Sequence, residues 1–349
     1  ELLRDAVARR MIADVPLGGF LSGGIDSSLM AALMQAQSAA PVRTFSIGFR
    51  EAGFDEAPYA RAVAEHLGTD HTELYVEPGQ ALALIPHLPE IFDEPFADAS
   101  QIPTSLLAAL TRAHVTVAVS GDGGDELFAG YRRYGEAEAA WRRLARAPAP
   151  LRRIAGFGLG GLNALLDHTA PGRAVVRSGL LPTTERMEYW AAALAARDGD
   201  AFYAQRGTQW RRPEALLRAG RERSFDQTNA PADRADLLTR MQLADLLGYL
   251  PDDIMTKVDR ATMAVALEAR APLLDHRVVE LALRLPRRLK VRDGATKWIL
   301  RRVLARYVPD RLVDRPKAGF SVPLGVWLRG PLRDWVEGLL DEGRLESEG

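Results

Sequence analysis

At 349 residues the chain is longer than one hydrophobic core usually organises, so a large domain with a helical annex, or two domains, is expected. Hydrophobic residues at 47% suffice for a sizeable core, and a formal net charge of −1 excludes a general electrostatic pull toward nucleic acid or acidic membranes. The absence of cysteine excludes disulfides, thiolate metal sites and a cysteine nucleophile within the chain; with no signal-peptide pattern and no apolar run near about 18 residues, a cytoplasmic protein without membrane spans is expected.

Leu2, Leu3, Ala6, Val7, Arg10 and Met11 make a helical pattern already running at Glu1, as expected of a fragment with more chain upstream. Leu17-Gly18-Gly19-Phe20-Leu21 reads as a short buried strand and Ser28 to Gln37, rich in Leu, Met and Ala, as a helix. Between them lies Ser22-Gly23-Gly24-Ile25-Asp26-Ser27-Ser28. Two glycines let the backbone turn sharply and present its N–H groups, while Ser22, Ser27 and Ser28 add hydroxyls. The unpaired N–H groups of a helix start complete a cradle suited to phosphate. A Walker-type lysine is absent and an acid, Asp26, stands in the loop instead. A carboxylate repels phosphate unless a divalent cation bridges the two, so Mg²⁺ is implied. The competing reading, a Gly/Ser turn that only caps a helix, is weakened by the full string.

Thr44 to Phe49 reads as a second strand; Tyr59, Val63 and Leu67 form the apolar face of a helix that stops at Gly68. Thr72 to Val76 follows as a strand, Gly79 to Leu88 and Pro103 to Arg112 as helices, and Val115 to Val119 as the clearest strand. Strands alternating with helices predict an α/β fold: a parallel, twisted sheet with helices on both faces and ligands at the carboxyl ends of its strands. From about Ala137 to Arg234 the pattern turns to Ala, Arg and Leu and predicts a helical insertion. Its clusters Arg142-Arg143 and Arg152-Arg153 read as solvated helix faces and not as a nucleic-acid patch, since charge is balanced and aromatics are not interleaved. Asp236 to Leu250, Asp252 to Glu268, Arg277 to Leu285 and Thr296 to Tyr307 are expected to be helices. The expected division is 1–136 for the α/β core, 137–235 for the helical subdomain and 236–349 for a helical part that completes the active site.

Immediately after Val119 comes Ser120-Gly121-Asp122-Gly123-Gly124-Asp125-Glu126, acids among glycines that suit a Mg²⁺ or general-base site. Lys257 and Arg260 lie one turn apart on one helix face, either offsetting charge on a displaced phosphate or forming a surface pair near Asp252, Asp253 and Asp259. Lys297, Arg315 and Lys317 are either phosphate-facing or merely solvated, and rank below them. Glu268 and Arg270, two apart in a predicted helix, are expected to make separate, mainly structural contacts. Asp93, Glu94 and Asp98 either shape a substrate pocket or cap the chain before Pro103, the structural role being preferred. The six histidines lack metal-ligand spacing.

The string Ser22 to Ser28 resembles the pyrophosphate loop of N-type ATP pyrophosphatases, the adenine nucleotide alpha hydrolase-like group that includes asparagine, GMP and NAD synthetases. Five further strings narrow the resemblance to the glutamine-hydrolysing asparagine synthetase family, whose synthetase domain the chain then matches almost throughout. They are the Ser120 to Glu126 loop, Asp93 to Asp98, Lys257 to Arg260, Leu267 to His276, and Arg315-Pro316-Lys317-Ala318-Gly319-Phe320. The resemblance implies that Leu21, Ser22, Gly23, Gly24, Asp26, Ser27 and Ser28 bind ATP, that Ser120 and Gly121 line the nucleotide, and that Ile47 and Gly48 meet the adenine through backbone groups. Asp26 and Asp125 would hold Mg²⁺ on the pyrophosphate. Asp122, where many members carry Glu, would stand beside the acyl-adenylate as a base with one methylene less reach. A catalytic lysine of the family falls on Arg260, with Lys257 as the other candidate.

The function implied by this resemblance is ATP-dependent amide formation, with aspartate and ammonia giving asparagine, AMP and pyrophosphate. A sugar acid or another carboxylate as acceptor, intramolecular closure of the β-lactam synthetase type, and an inactive nucleotide-binding scaffold are the competing readings. Family members carry an N-terminal glutaminase domain with a cysteine nucleophile; neither is in this chain, which is expected to use free ammonia and not glutamine. Expected partners are a small carboxylate and ammonia, with no nucleic acid and no membrane, and a homodimer stays open.

Overall fold

The computed structural model describes residues 1–51, 53–169, 182–207, 235–314 and 322–348. Arg315 and Lys317, with the string around them, lie outside the described residues. The chain forms two compact units, Glu1–Gly130 with Leu250–Gly349, and Tyr131–Tyr249.

The first unit holds the predicted α/β sheet. Its strands are β1 (Leu17–Phe20), β2 (Arg43–Phe49), β3 (Asp70–Val76), β4 (Val117–Val119) and β5 (Glu268–Arg270), ordered β3-β2-β1-β4-β5 with every pair parallel. β1, β2 and β3 step outward one way and β4 and β5 the other, so the direction of winding reverses between β1 and β4. An open parallel sheet leaves its crevice there, outside the carboxyl ends of the strands.

Helices on both faces bury the central strands on both sides. β4, Val-Ala-Val, is wholly buried, and β2 is buried from Thr44 onward. Phe45, Leu107, Ala108, Val115, Ala118 and Leu267 form one core cluster; Ile47, Phe49, Val76, Ile102 and Trp327 belong to another. The helix that follows β1, α2 (Ile25–Gln35), has every residue from Ser28 to Met34 buried. It packs against α1 (Leu2–Arg10), α3 (Ala57–Leu67) and the helix Trp298–Leu304. A helix enclosed in this way fixes the loop at its N-terminus.

Two expectations are corrected in this unit. Asp252 to Glu268 is not one helix: residues Asp245–Met255 wind with the wider π spacing, Thr256–Met263 is α-helical, and Glu268–Arg270 is the edge strand β5. Pro251 lies inside the π segment, where the wider winding accommodates a residue that lacks an N–H. As strand residues two apart, Glu268 and Arg270 project to the same side and do pair, Arg270 Nε donating to Glu268 Oε1 at 2.6 Å.

The second unit is helical among its described residues, with helices Arg132–Leu144, Ala149–His168, Thr184–Ala195, Gly199–Gly207 and Leu237–Ala244. Asp245, 6% exposed, accepts hydrogen bonds on one oxygen from Arg133 Nη2 at 2.7 Å, Tyr134 at 2.7 Å and Tyr203 at 2.8 Å. One arginine there departs from the expected solvated face. Arg152 is buried, donating to the Ala196 carbonyl at 3.1 Å with its guanidinium over the Trp141 ring. Arg142, Arg143 and Arg153 are exposed.

Candidate active site

Both glycine loops leave the sheet at the point of reversal. Gly18 pairs with Ala118 and Gly19 with Val119, so β1 and β4 end level and release Ser22 to Ser28 and Ser120 to Glu126 side by side. They are in direct contact: a Cβ on Gly121 would lie 2.9 Å from Ser27 N, and one on Gly124 would lie 2.4 Å from Asp26 Cγ. Any residue larger than glycine at either place would push the second loop off the first.

The first loop is folded by its own hydroxyls. Ser22 and Ser27 Oγ are 2.9 Å apart, Ser22 N donates to Ser27 Oγ at 3.1 Å, and Gly24 N donates to Ser22 Oγ at 3.3 Å. Gly23 has φ +73, and a Cβ there would lie 2.7 Å from the Tyr59 carbonyl carbon, so α3 closes over the turn. Leu21 N still donates to Phe45 O at 2.8 Å, ending the β1 ladder. Ile47 and Gly48 stand on β2 two and three residues past that last pair, buried at the strand's carboxyl end. Ser28 is not brought to the loop surface: it is fully buried, and its Oγ has no hydrogen-bond partner among the described residues.

Asp26 and Asp125 converge on a group that the sequence ranked low. Lys297 Nζ lies 2.8 Å from Asp125 Oδ1 and bonds Asp26 Oδ2, and the lysine is 5% exposed. Burial opposes its charge, but the carboxylates of Asp26 and Asp125 outweigh it and raise the ammonium to about 12. Lys297 sits at the N-cap of Trp298–Leu304 with φ +53, its N–H donating to Phe128 O at 3.2 Å. Gly130 completes the packing: a Cβ there would be 2.0 Å from both Lys297 Cε and Asp125 Oδ1. A lysine just ahead of a helix opposes the positive end of the helix dipole and needs an anionic partner, but with the helix expected from Thr296 that position did not show in the sequence.

Asp122 is half-buried, and its carboxyl is pushed up by burial and by Asp125, against a hydrogen bond from Ser120 and the Lys257 charge. Ser120 is held by donation of its N–H to Arg270 O at 2.8 Å. Lys257, 6% exposed, bonds Asp98 Oδ2 at 2.5 Å and lies 4.0 Å from Asp253. Burial works against ionisation of Asp98, but Lys257 and two hydrogen bonds from Ser100 hold its carboxyl below the usual range. Arg260 reaches the same segment, with Nη1 3.6 Å from Asp93 Oδ2 and no hydrogen bond on that nitrogen among the described residues. The two cations thus both face Asp93–Asp98, and Asp98 joins the structural and the site-lining roles.

Two carboxylates on one ammonium are a hard-oxygen donor set of the kind Mg²⁺ uses, since it binds through one or two carboxylates together with substrate phosphates. Among the described residues no three or more His, Cys, Asp or Glu side chains form a metal cage. The residues present therefore fit a Mg²⁺ that is completed by phosphate.

The asparagine synthase family model matches residues 1–349. The chain belongs to the asparagine synthase family. It is 31% identical over 347 residues to asparagine synthetase [glutamine-hydrolyzing] 1 of Bacillus subtilis, covering 99% of this chain and 52% of that protein. It is 38% identical over 340 residues to a putative asparagine synthetase [glutamine-hydrolyzing] of Mycobacterium bovis, covering 96% and 49%. A more distant relative, amidase chyE of Penicillium rubens, is 26% identical over 403 residues, covering 99% and 55%. The chain spans about half the length of the curated relatives it matches. Among the described residues no helix is long and apolar enough to cross a membrane.

Proposed function

We propose that the chain uses ATP to activate a carboxylate as its acyl-adenylate and passes the acyl group to ammonia, most directly converting aspartate to asparagine. The observation that carries this reading is the convergence of Asp26 and Asp125 from two glycine loops at the sheet's point of reversal. In the first step a substrate carboxylate oxygen bonds the α-phosphorus and pyrophosphate leaves. In the second, ammonia bonds the acyl carbon, AMP leaves and a proton is lost from nitrogen.

Leu21 to Gly24, with Ser27 and the first turn of α2, receive the phosphates; Ile47 and Gly48 receive the adenine; Ser120 and Gly121 line the nucleotide. Mg²⁺, held by Asp26 and Asp125, would neutralise the departing pyrophosphate. Asp122, held protonated to higher pH than an ordinary carboxylate, is suited to take the proton from nitrogen. Lys257 and Arg260 offset charge where the carboxylate and α-phosphate meet. In the whole protein, ammonia comes from glutamine hydrolysis outside this chain, a reading supported by the glutamine-hydrolyzing names of relatives roughly twice its length. Aspartate at position 122, where many members carry glutamate, with a relative named an amidase, supports a second reading, in which the acceptor is another carboxylate.

A screen of carboxylates with ammonium salts, scored by pyrophosphate and AMP release, tests the proposal. Aspartate is expected to give stoichiometric asparagine, AMP and pyrophosphate, and Asp26→Asn to lower the rate at least about 100-fold. ATP binding without pyrophosphate release for any carboxylate would overturn it in favour of a scaffold.

A further inference from the structure

Lys297 has a feature the proposed chemistry does not require. Its ammonium already occupies the place between the two carboxylates where the cation of a bound nucleotide would have to act. We infer that Lys297 is a built-in substitute for that cation: without nucleotide it neutralises Asp26 and Asp125 and keeps a divalent ion out, so metal enters only with the phosphates. The inference rests on the nucleotide-binding reading of this site.

Three observations support it. The first is charge. Asp26, Asp125 and Lys297 sum to −1; adding a divalent cation alone would leave +1 in a buried site with an ammonium as its neighbour, and like charges in such a place repel strongly. A nucleotide's phosphates reverse that balance. The second is distance. The ammonium is in direct contact with both carboxylates, bonding Asp26 Oδ2 and lying 2.8 Å from Asp125 Oδ1, whereas a Mg²⁺ in its place would need those same oxygens for its own shell at about 2.0–2.1 Å. The ammonium and the ion cannot share the place.

The third is how firmly the lysine is put there. Its backbone takes a left-handed conformation that a non-glycine residue rarely adopts, Phe128 O holds its N–H, and position 130 has room for nothing larger than hydrogen. The flexible four-carbon stem lets the ammonium turn from carboxylate to phosphate without moving that backbone. On this account Lys297 first occupies the metal's place and then, once phosphate and metal arrive together, becomes a phosphate ligand. A purely structural ion pair would give the same resting geometry but no gain of metal binding when the lysine is removed.

The test uses Mn²⁺ as the probe, followed by electron paramagnetic resonance and titration calorimetry on the full chain, with and without a non-hydrolysable ATP analogue. The wild type is expected to bind Mn²⁺ at least ten-fold more weakly without the analogue than with it. Lys297→Gln is expected to bind Mn²⁺ alone at least ten-fold more tightly than the wild type, and its melting temperature to rise with Mg²⁺ while that of the wild type does not. Lys297→Arg, which keeps a cation, should still exclude Mn²⁺.

Equal Mn²⁺ affinity in wild type and Lys297→Gln would overturn the inference. So would a wild type that binds Mn²⁺ as well without the analogue as with it, and this comparison decides the matter if Lys297→Gln does not fold. A wild type that binds no ATP analogue would overturn the functional reading and this inference together. Nucleotide binding beside a strong nucleotide-independent Mn²⁺ site overturns the inference alone.

Discussion

Burial, and then the neighbouring Asp125, oppose ionisation of the Asp122 carboxyl more strongly than Ser120 and Lys257 favour it. An unfolded chain loses that proton near pH 3.9 while the folded chain keeps it to higher pH. Stability from this group is therefore complete below about pH 4 and falls as pH rises through the window up to the raised folded value. Asp122→Asn is expected to melt at higher temperature than the wild type at neutral pH, with the gap closing below about pH 4, and to lose the rising limb of the pH profile for amide formation. A melting difference that does not change with pH would count against burial as the cause. Residues that sit in a telling local string were legible: Ser22, Asp26, Asp122 and Asp125 lie among glycines that announce a loop at the end of a strand. Lys297 was not, because its partner Asp26 is 271 positions away and nothing local marks a lysine as buried. Ser28 is a related case: the string alone shows a hydroxyl, and burial of its helix from Ser28 to Met34 is set by packing that the string does not mark.

The five strands differ in how plainly they could be read, and the reason is what each one buries. β4 is an apolar run and β2 alternates Thr44, Ser46 and Gly48 with Phe45, Ile47 and Phe49, each between turns, so their type and place follow from pattern. β5 is Glu-Ala-Arg, three residues with charged ends after a helix, and local propensity gives no hint of a strand; pairing of Val117 with Glu268 and of Val119 with Arg270 imposes it. Once it is a strand, Arg270 has a second task. Besides Glu268 it reaches the carbonyls of Arg10 and Ile12 at 2.9 and 2.8 Å, tying the end of α1 to the sheet edge. Arg270→Ala is expected to cost about 1–3 kcal/mol and to speed amide hydrogen exchange in Leu2–Arg10 before it affects β1 or β2. Uniform acceleration across the sheet would show that Arg270 supports the whole unit and not this one attachment. The π-wound segment Asp245–Met255 was read as two helices for a comparable reason, since Pro251 is ordinarily a break and the wider winding that admits it leaves no mark in composition.

Across the whole chain, the alternation of strands and helices made the α/β sheet legible, and the change to Ala, Arg and Leu marked a helical stretch. The compact helical unit runs from Tyr131 to Tyr249, and its second edge falls inside the π-wound segment Asp245–Met255, where no turn marks it. The second unit has its own polar centre in Asp245 with Arg133, Tyr134 and Tyr203, where removing the acid takes the shared acceptor from a half-buried arginine and two buried phenols. Asp245→Ala is expected to destabilise this unit by about 1–3 kcal/mol, seen as faster hydrogen exchange in Arg132–Leu144, with β1 to β4 exchanging as before. Equal loss of protection in both units would mean that they unfold as one.

The separation of Asp26 from Lys297 also bears on how the protein is made. At about 5–20 residues per second, a ribosome that has finished Asp26 needs roughly 15–55 s to reach the lysine 271 positions later. During that interval β1, β2, β3 and β4 can emerge, and so can the entire Tyr131–Tyr249 unit, while Asp26 and Asp125 still lack their ammonium. The nascent chain therefore carries its two-carboxylate site open until residue 297 has been made, and arrival of Lys297 is the event that closes it.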